Sequence, residues 1–318
     1  MDLVTIDDIR DAARTIAGVA ARTPILRAWW AGQGTDFWLK PENLQVTGSF
    51  KIRGAYNAIS ELSEARRAAG VITYSSGNHA QGLSYAARAF GVPCTVVMAE
   101  DAAAVKIEAT RALGARVVIV PVAERVSRAE RLAEEHGYTL IPPFDDFAII
   151  AGQGTAGLEI VEDVPEVDVV LVPIGGGGLS SGVASAVKAL RPGASVIGVE
   201  PEVAADAAES LRKDELTTWP REQTGKTIAD GVRSTSIGLL PFAHLRERMD
   251  GVVTVSEKQI LAAMGQLARS AHLVVEPSGA LSVAAYLYQR ERLPEGRTVA
   301  LISGGNVDTA LLASVLTG

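Results

Sequence analysis

The chain has 318 residues, 47% of them hydrophobic, a formal net charge of −7 and a single cysteine. This is enough apolar material for a large core in one or two packed domains, and the acidic balance without a basic run argues against a nucleic-acid surface. The acids of MDLVTIDDIR exclude an ordinary signal peptide, and no apolar run approaches the ~18 residues of a membrane span.

In chain order, the regular pattern begins near residue 70. VITYS (71–75) predicts a strand and 78–90 a helix; CTVVM (94–98) is a strand, 104–113 a helix, RVVIV (116–120) a strand and 124–136 a charged helix. Cys94, inside its apolar strand, reads as a buried structural thiol. A second series follows residue 148: a helix near 154–163, DVVLVPI (168–174) as a strand, a helix over 179–190 and SVIGVE (195–200) as a strand. Helices near 257–270 and 278–290, the strand TVALIS (298–303) and a final helix complete it. Apolar strands between amphipathic helices predict two doubly wound, mainly parallel α/β units. The smaller is expected over 69–147, the larger over 1–68 with 148–318. The stretch 207–250 is less regular and is expected to be surface loop or cover. No room is expected for an appended regulatory domain. A cytoplasmic enzyme fits these properties, with no membrane or nucleic-acid partner.

Gly175, Gly176, Gly177 and Gly178 follow an apolar strand and open a helix. Four glycines let backbone N–H groups approach an anion, and the helix N-terminus adds a favourable field. A bare strand-to-helix turn needs fewer. Glu200 ends the next strand at about the distance expected of a ribose-binding acid, which suggests a dinucleotide site. That fingerprint needs a further glycine at 180 or 181, and both are serine. No Gly-Lys-Ser/Thr follows, so the run is not a P-loop.

Lys51 lies in TGSFKIRGA (47–55), between apolar residues and beside Arg53. A nearby cation and partial burial would both lower its amine pKa. Spacing alone nevertheless favours an ordinary surface lysine with a buried stem.

Six segments change that balance. PENLQVTGSFKIRGA (41–55), SSGNHAQG (75–82), GGGGL (175–179), TIADGV (227–232), EPSGA (276–280) and SGGNVD (303–308) occur in this order. Together they resemble the threonine and serine dehydratases and serine racemases, enzymes of fold type II that depend on pyridoxal 5′-phosphate (PLP). The resemblance covers nearly the whole chain. It implies that Lys51, preceded by Phe50, carries the cofactor and acts as general base. It implies that Ser75, Ser76, Asn78 and His79 form the loop that closes on the substrate carboxylate, with Asn78 beside the cofactor's phenolic oxygen. Gly175–Gly178 and Leu179 would hold the phosphate, and Ser303 would face the pyridine nitrogen. A neutral hydroxyl there does not stabilise a pyridinium as a carboxylate would, which favours loss of a β-substituent over transamination. The expected product is a 2-oxo acid plus ammonia from a small β-hydroxy amino acid such as threonine or serine. The family also suggests a homodimer, or a tetramer.

Two features complicate this reading. In resembling racemases, a serine at the place of Ser76 is the second acid/base, on the face opposite the lysine; plain dehydratases also have serine there. Phe144, in PPFDD, looks more like the dehydratase pattern. Glu200, Ala204 and Asp206 match a divalent-cation site of the racemase-like branch, where hard oxygen ligands suit magnesium or calcium. Ser234 is a candidate substrate contact, although one extra residue shifts its alignment; Arg125 lies one position from a racemase substrate arginine, and that role is not carried over to it. His136, His244 and His272 match no motif and are expected to be structural. The competing readings are a serine racemase, a 3-hydroxyaspartate dehydratase, a nucleotide-binding oxidoreductase built on Gly175–Gly178 and Glu200, and a non-catalytic binding protein.

Overall fold

The computed structural model describes every residue except Met1, Gln33, Ala103 and Gly318. Among the described residues, the strands are β1 (Leu26–Arg27), β2 (Phe37–Pro41), β3 (Val71–Tyr74), β4 (Cys94–Ala99), β5 (Arg116–Val120), β6 (Thr139–Leu140), β7 (Val169–Pro173), β8 (Ser195–Pro201), β9 (Gly251–Val255) and β10 (Thr298–Ile302). They form two sheets. One has the order β1-β2-β10-β7-β8-β9, parallel except for the antiparallel β1–β2 pair. The other, β5-β4-β3-β6, is parallel throughout.

The central strands are apolar on both faces because helices cover both. Leu171, Ala300 and Ile302 pack into one core, while Val170, Val172, Val299 and Leu301 pack into another on the opposite side. That is the period of two expected when a parallel sheet is covered twice. In the smaller sheet, Val96 and Met98 face one core and Ile72 and Val97 the other. No helix among the described residues is long and apolar enough to cross a membrane.

Three helices bring the key segments together: Lys51–Ser60, Phe147–Asp163 and Gly178–Leu190. A Cβ on Gly152 would lie 2.6 Å from Gly54 Cα. Paired glycines thus allow the first two helices to touch backbone to backbone.

Several expectations needed adjustment. The helix expected near 154–163 begins at Phe147, because the Asp146 carboxylate accepts from Ile149 N and caps it. The helix expected over 257–270 is regular only for Glu257–Gln266. A π-turn, Leu267–Ala271, follows and ends at His272 in the left-handed region. The stretch 207–250 is not mainly loop. It contains most of the helix Asp206–Lys213 and all of Leu239–Arg248, whose Leu245 is buried. The latter starts where the Asp145 carboxylate accepts from the Leu239 and Leu240 amides, a long-range cap that local pattern cannot reveal.

Candidate active site

The glycine run and Ser303 follow the carboxyl ends of the adjacent strands β7 and β10, and Ser75–Asn78 follow that of β3. Carboxyl ends of open parallel sheets are where ligands bind. Backbone hydrogen bonds tie the quoted segments together. Phe50 N donates to Ser303 O (3.2 Å), Gly305 N to Gly48 O (2.9 Å) and Glu276 N to Gly304 O (3.1 Å). Gly231 N donates to Ser278 Oγ (2.9 Å), and Gly238 N to Gly176 O (3.0 Å).

Lys51 begins its helix directly after Phe50, and its Nζ is 5.1 Å from the centre of the Phe50 ring. Nζ donates to Pro143 O at 2.5 Å. Desolvation brings the amine pKa down from 10.5 to about 8, so a fraction of it is neutral near neutral pH. Close packing of Gly82 brings the helix Asn78–Phe90 to the start of the Lys51 helix: a Cβ there would be 3.1 Å from the Lys51 carbonyl carbon.

The glycine loop turns through Gly177, whose φ of +93° lies in the left-handed region. A Cβ on Gly176 would sit 2.1 Å from the Phe144 ring, so this position admits no side chain while Phe144 covers the loop. Gly178 and the buried Leu179 open the next helix, presenting free N–H groups at its positive end.

Asn78 donates to Glu276 Oε1 (2.6 Å) and accepts from Asn306 Nδ2 (2.8 Å). Ser75 Oγ accepts from Gly77 N (3.3 Å), and Ser76 Oγ accepts from Ala99 N (3.1 Å). The His79 ring is buried, with Nε2 3.1 Å from Ile141 O and Nδ1 without a partner among the described residues. Burial, and then the Lys51 charge, push its pKa down to about 3, so the ring is neutral. Ser303 Oγ donates to Ser278 O (3.3 Å). Ser234 is half-buried in the loop after Asp230–Val232.

Glu200 and Asp206 are both buried. Glu200 accepts from Ala207 N (3.1 Å) and Ala208 N (2.8 Å), while Asp206 Oδ2 has no partner among the described residues. Desolvation, reinforced by Asp206, holds the Glu200 carboxyl well above its ordinary range; desolvation also raises Asp206 to about 7. Ala204 is also buried. No group of three or more His, Cys, Asp or Glu side chains able to hold a metal occurs among the described residues.

The site also contains groups that motif reading did not single out: Pro143 O, Glu276, Asn306 and Ser49, whose buried Oγ is unpartnered among the described residues. Glu276 and Asn306 stood within the EPSGA and SGGNVD segments. Pro143 acts through a backbone carbonyl and carries no side-chain signal.

Comparison with known proteins gives a consistent result. A family described as pyridoxal-phosphate dependent enzymes matches residues 16–304. The chain is 40% identical to an L-threo-3-hydroxyaspartate ammonia-lyase of Saccharomyces cerevisiae, over 100% of this chain and 98% of that protein. It is 43% identical to an L-threonine ammonia-lyase of Thermotoga maritima, over 99% of this chain and 78% of that protein. The structure of maize serine racemase superimposes with a TM-score of 0.93 at 37% identity, covering 98% of this chain and 97% of that one. With its lysine, glycine cradle and strand-end loops in one place, the chain belongs to the pyridoxal-phosphate dependent enzymes of fold type II.

Proposed function

We propose that this enzyme is an ammonia-lyase for an L-β-hydroxy amino acid, releasing a 2-oxo acid and ammonia. The observation that carries the proposal is the convergence of Lys51, the Gly175–Gly178 cradle and Asn78 at the carboxyl ends of β3, β7 and β10. The residues fit PLP: an amine with a depressed pKa, glycines where a Cβ would collide, and a buried Ser49 hydroxyl with no partner among the described residues. When bound, PLP supplies an electron sink that stabilises negative charge at the substrate Cα. Lys51 Nζ, neutral in part, takes the Cα proton. Gly175–Leu179 hold the phosphate through backbone N–H groups. Ser303 has one proton, which it gives either to Ser278 O or to the ring nitrogen, and it brings no negative charge to that nitrogen. The Ser75–His79 loop, at a helix start, receives the substrate carboxylate, and Ser234 borders it. The four-stranded unit, 69–147, is the part proposed to close over the site.

A product assay tests this. Pyruvate from L-serine, 2-oxobutyrate from L-threonine or oxaloacetate from 3-hydroxyaspartate supports it; absence of all three, in protein that binds PLP, overturns it. Ser76 favours a second activity, racemisation, because its hydroxyl proton remains to be donated while Oγ accepts from Ala99 N.

Glu200, Asp206 and the Ala204 carbonyl are proposed to hold a divalent cation of the magnesium or calcium type. Burial raises both carboxyl pKa values, and Asp206 Oδ2 lacks a partner among the described residues, so a bound cation would stabilise their ionised forms. Magnesium or calcium should raise the melting temperature of EDTA-treated protein, and Asp206→Asn should remove that rise.

A further inference from the structure

Asn78 is tied at both ends of its carboxamide. The chain of hydrogen bonds starts from a backbone carbonyl that can only accept: Asn306 Nδ2 donates to Thr47 O at 2.9 Å. This fixes the Asn306 amide. The same Nδ2 gives its other proton to Asn78 Oδ1 at 2.8 Å. The Asn78 oxygen is therefore on that side, and its nitrogen faces Glu276 Oε1 at 2.6 Å. One of the two Asn78 N–H bonds is spent on Glu276; the other has no partner among the described residues.

We propose that Glu276 and Asn306 are positioning residues that lock the Asn78 carboxamide with a single N–H available, the donor that the phenolic oxygen of PLP requires. This rests on the reading that Asn78 touches the cofactor. A freely rotating asparagine would offer that oxygen its own carbonyl about as often as its N–H, and the first would repel it. Ser49 and Gly304 hold the clamp from below: they pair as an isolated β-bridge, and a Cβ on Gly304 would be 2.4 Å from Glu276 Oε1. The charged groups facing Glu276 are Asp230, which begins the short 3-10 helix Asp230–Val232, and Lys106, on the helix Ala104–Ala112, which form an ion pair with each other. Desolvation first, and then Asp230, raise the Glu276 pKa to about 8. At neutral pH the clamp is thus largely an uncharged carboxylic acid, which accepts from Asn78 without placing an anion beside the phenolic oxygen.

The test compares Glu276→Gln, Glu276→Leu and Asn306→Asp as holoenzymes. Glutamine keeps an acceptor oxygen and should retain wild-type visible absorbance and turnover. Leucine releases one N–H, and aspartate at 306 repels the Asn78 oxygen and turns the amide around. Both should shift the absorbance of the bound cofactor and lower kcat about 5- to 10-fold, with KM changed less, the scale of one hydrogen bond. Their cofactor-free forms should melt near wild type. Unchanged spectra and kcat in both variants would overturn the clamp, as would equal damage by Glu276→Gln. A wild-type protein with no borohydride-sensitive visible band after loading would instead remove the cofactor contact itself, and the clamp with it.

Discussion

Lys51 Nζ lies 2.5 Å from the carbonyl oxygen of Pro143, and the next residue, Phe144, covers the glycine loop. One short segment therefore meets both the amine and the glycine loop. The amine is held by a neutral carbonyl, not a carboxylate, and its pKa falls to about 8 through desolvation alone.

This has a consequence for the cofactor-free protein. An unfolded Lys51 keeps its proton up to about 10.5, whereas the folded one loses it near 8. Between these values the unfolded state binds more protons, so stability rises with pH. Below about pH 8 both states are protonated and the full burial penalty remains. Melting temperatures of cofactor-free wild type and Lys51→Met, measured from pH 7 to 10, should therefore converge as pH rises, with Lys51→Met the more stable at pH 7. Parallel curves would contradict the depressed pKa. Lys51→Met should also abolish turnover.

Gly176 and Phe144 make a steric prediction. An added Cβ would fall 2.1 Å from the ring, below any real contact distance. Gly176→Ala should weaken PLP binding at least about tenfold, since either the loop or the Phe144 segment must move. Adding Phe144→Ala should recover part of that loss, measured as the PLP concentration giving half-maximal visible absorbance. No recovery would mean that the glycine is required for the ligand rather than for Phe144.

The pattern of apolar runs made the parallel strands legible: RVVIV matches β5 residue for residue, and DVVLVPI and SVIGVE match β7 and β8 to within a residue or two. β2 and β9 escaped because FWLKP and GVVTV lie between irregular segments, with no α/β alternation to mark them. Lys51, Asn78 and the tetraglycine were legible as pieces of ordered segments. Their connections were not, because Asn306 to Asn78 and Asp145 to Leu239 join residues 228 and 94 apart. Local sequence also could not show that the Lys51 amine pKa is lowered by desolvation and not by the charge of Arg53, two residues away. The structure gives Arg53 two carboxylate partners of its own.

Those partners are Glu42 and Glu159, and Arg53 is fully buried between them. Lys40, also buried, pairs with Glu159 at 2.5 Å and donates to Thr23 O at 2.7 Å. Two cations thus balance two anions beneath the Lys51 helix. Arg53→Met would leave two carboxylates sharing one ammonium, at a cost of about 3–5 kcal/mol. Denaturant unfolding should show this loss. Arg53→Met with Glu42→Gln restores the charge balance and should be more stable than Arg53→Met alone; if it is less stable, the hydrogen bonds of Glu42 outweigh its charge.

In the proposed reaction, Ser76 decides whether the site works on one face of the substrate or two. Its Oγ accepts from Ala99 N at 3.1 Å at the end of β4, which orients the side chain and leaves the hydroxyl proton to be given elsewhere. Racemisation needs a proton delivered opposite Lys51; elimination needs only Lys51 and a leaving hydroxyl. Ser76→Ala should therefore lower formation of D-serine from L-serine about 10²-fold or more, the scale of a lost general acid, while pyruvate formation changes less than about fivefold. The freed Ala99 N–H should cost about 1 kcal/mol in melting experiments. Equal loss of both activities would show that Ser76 shapes the loop instead of moving a proton. Unchanged D-serine formation would assign the second proton to another group.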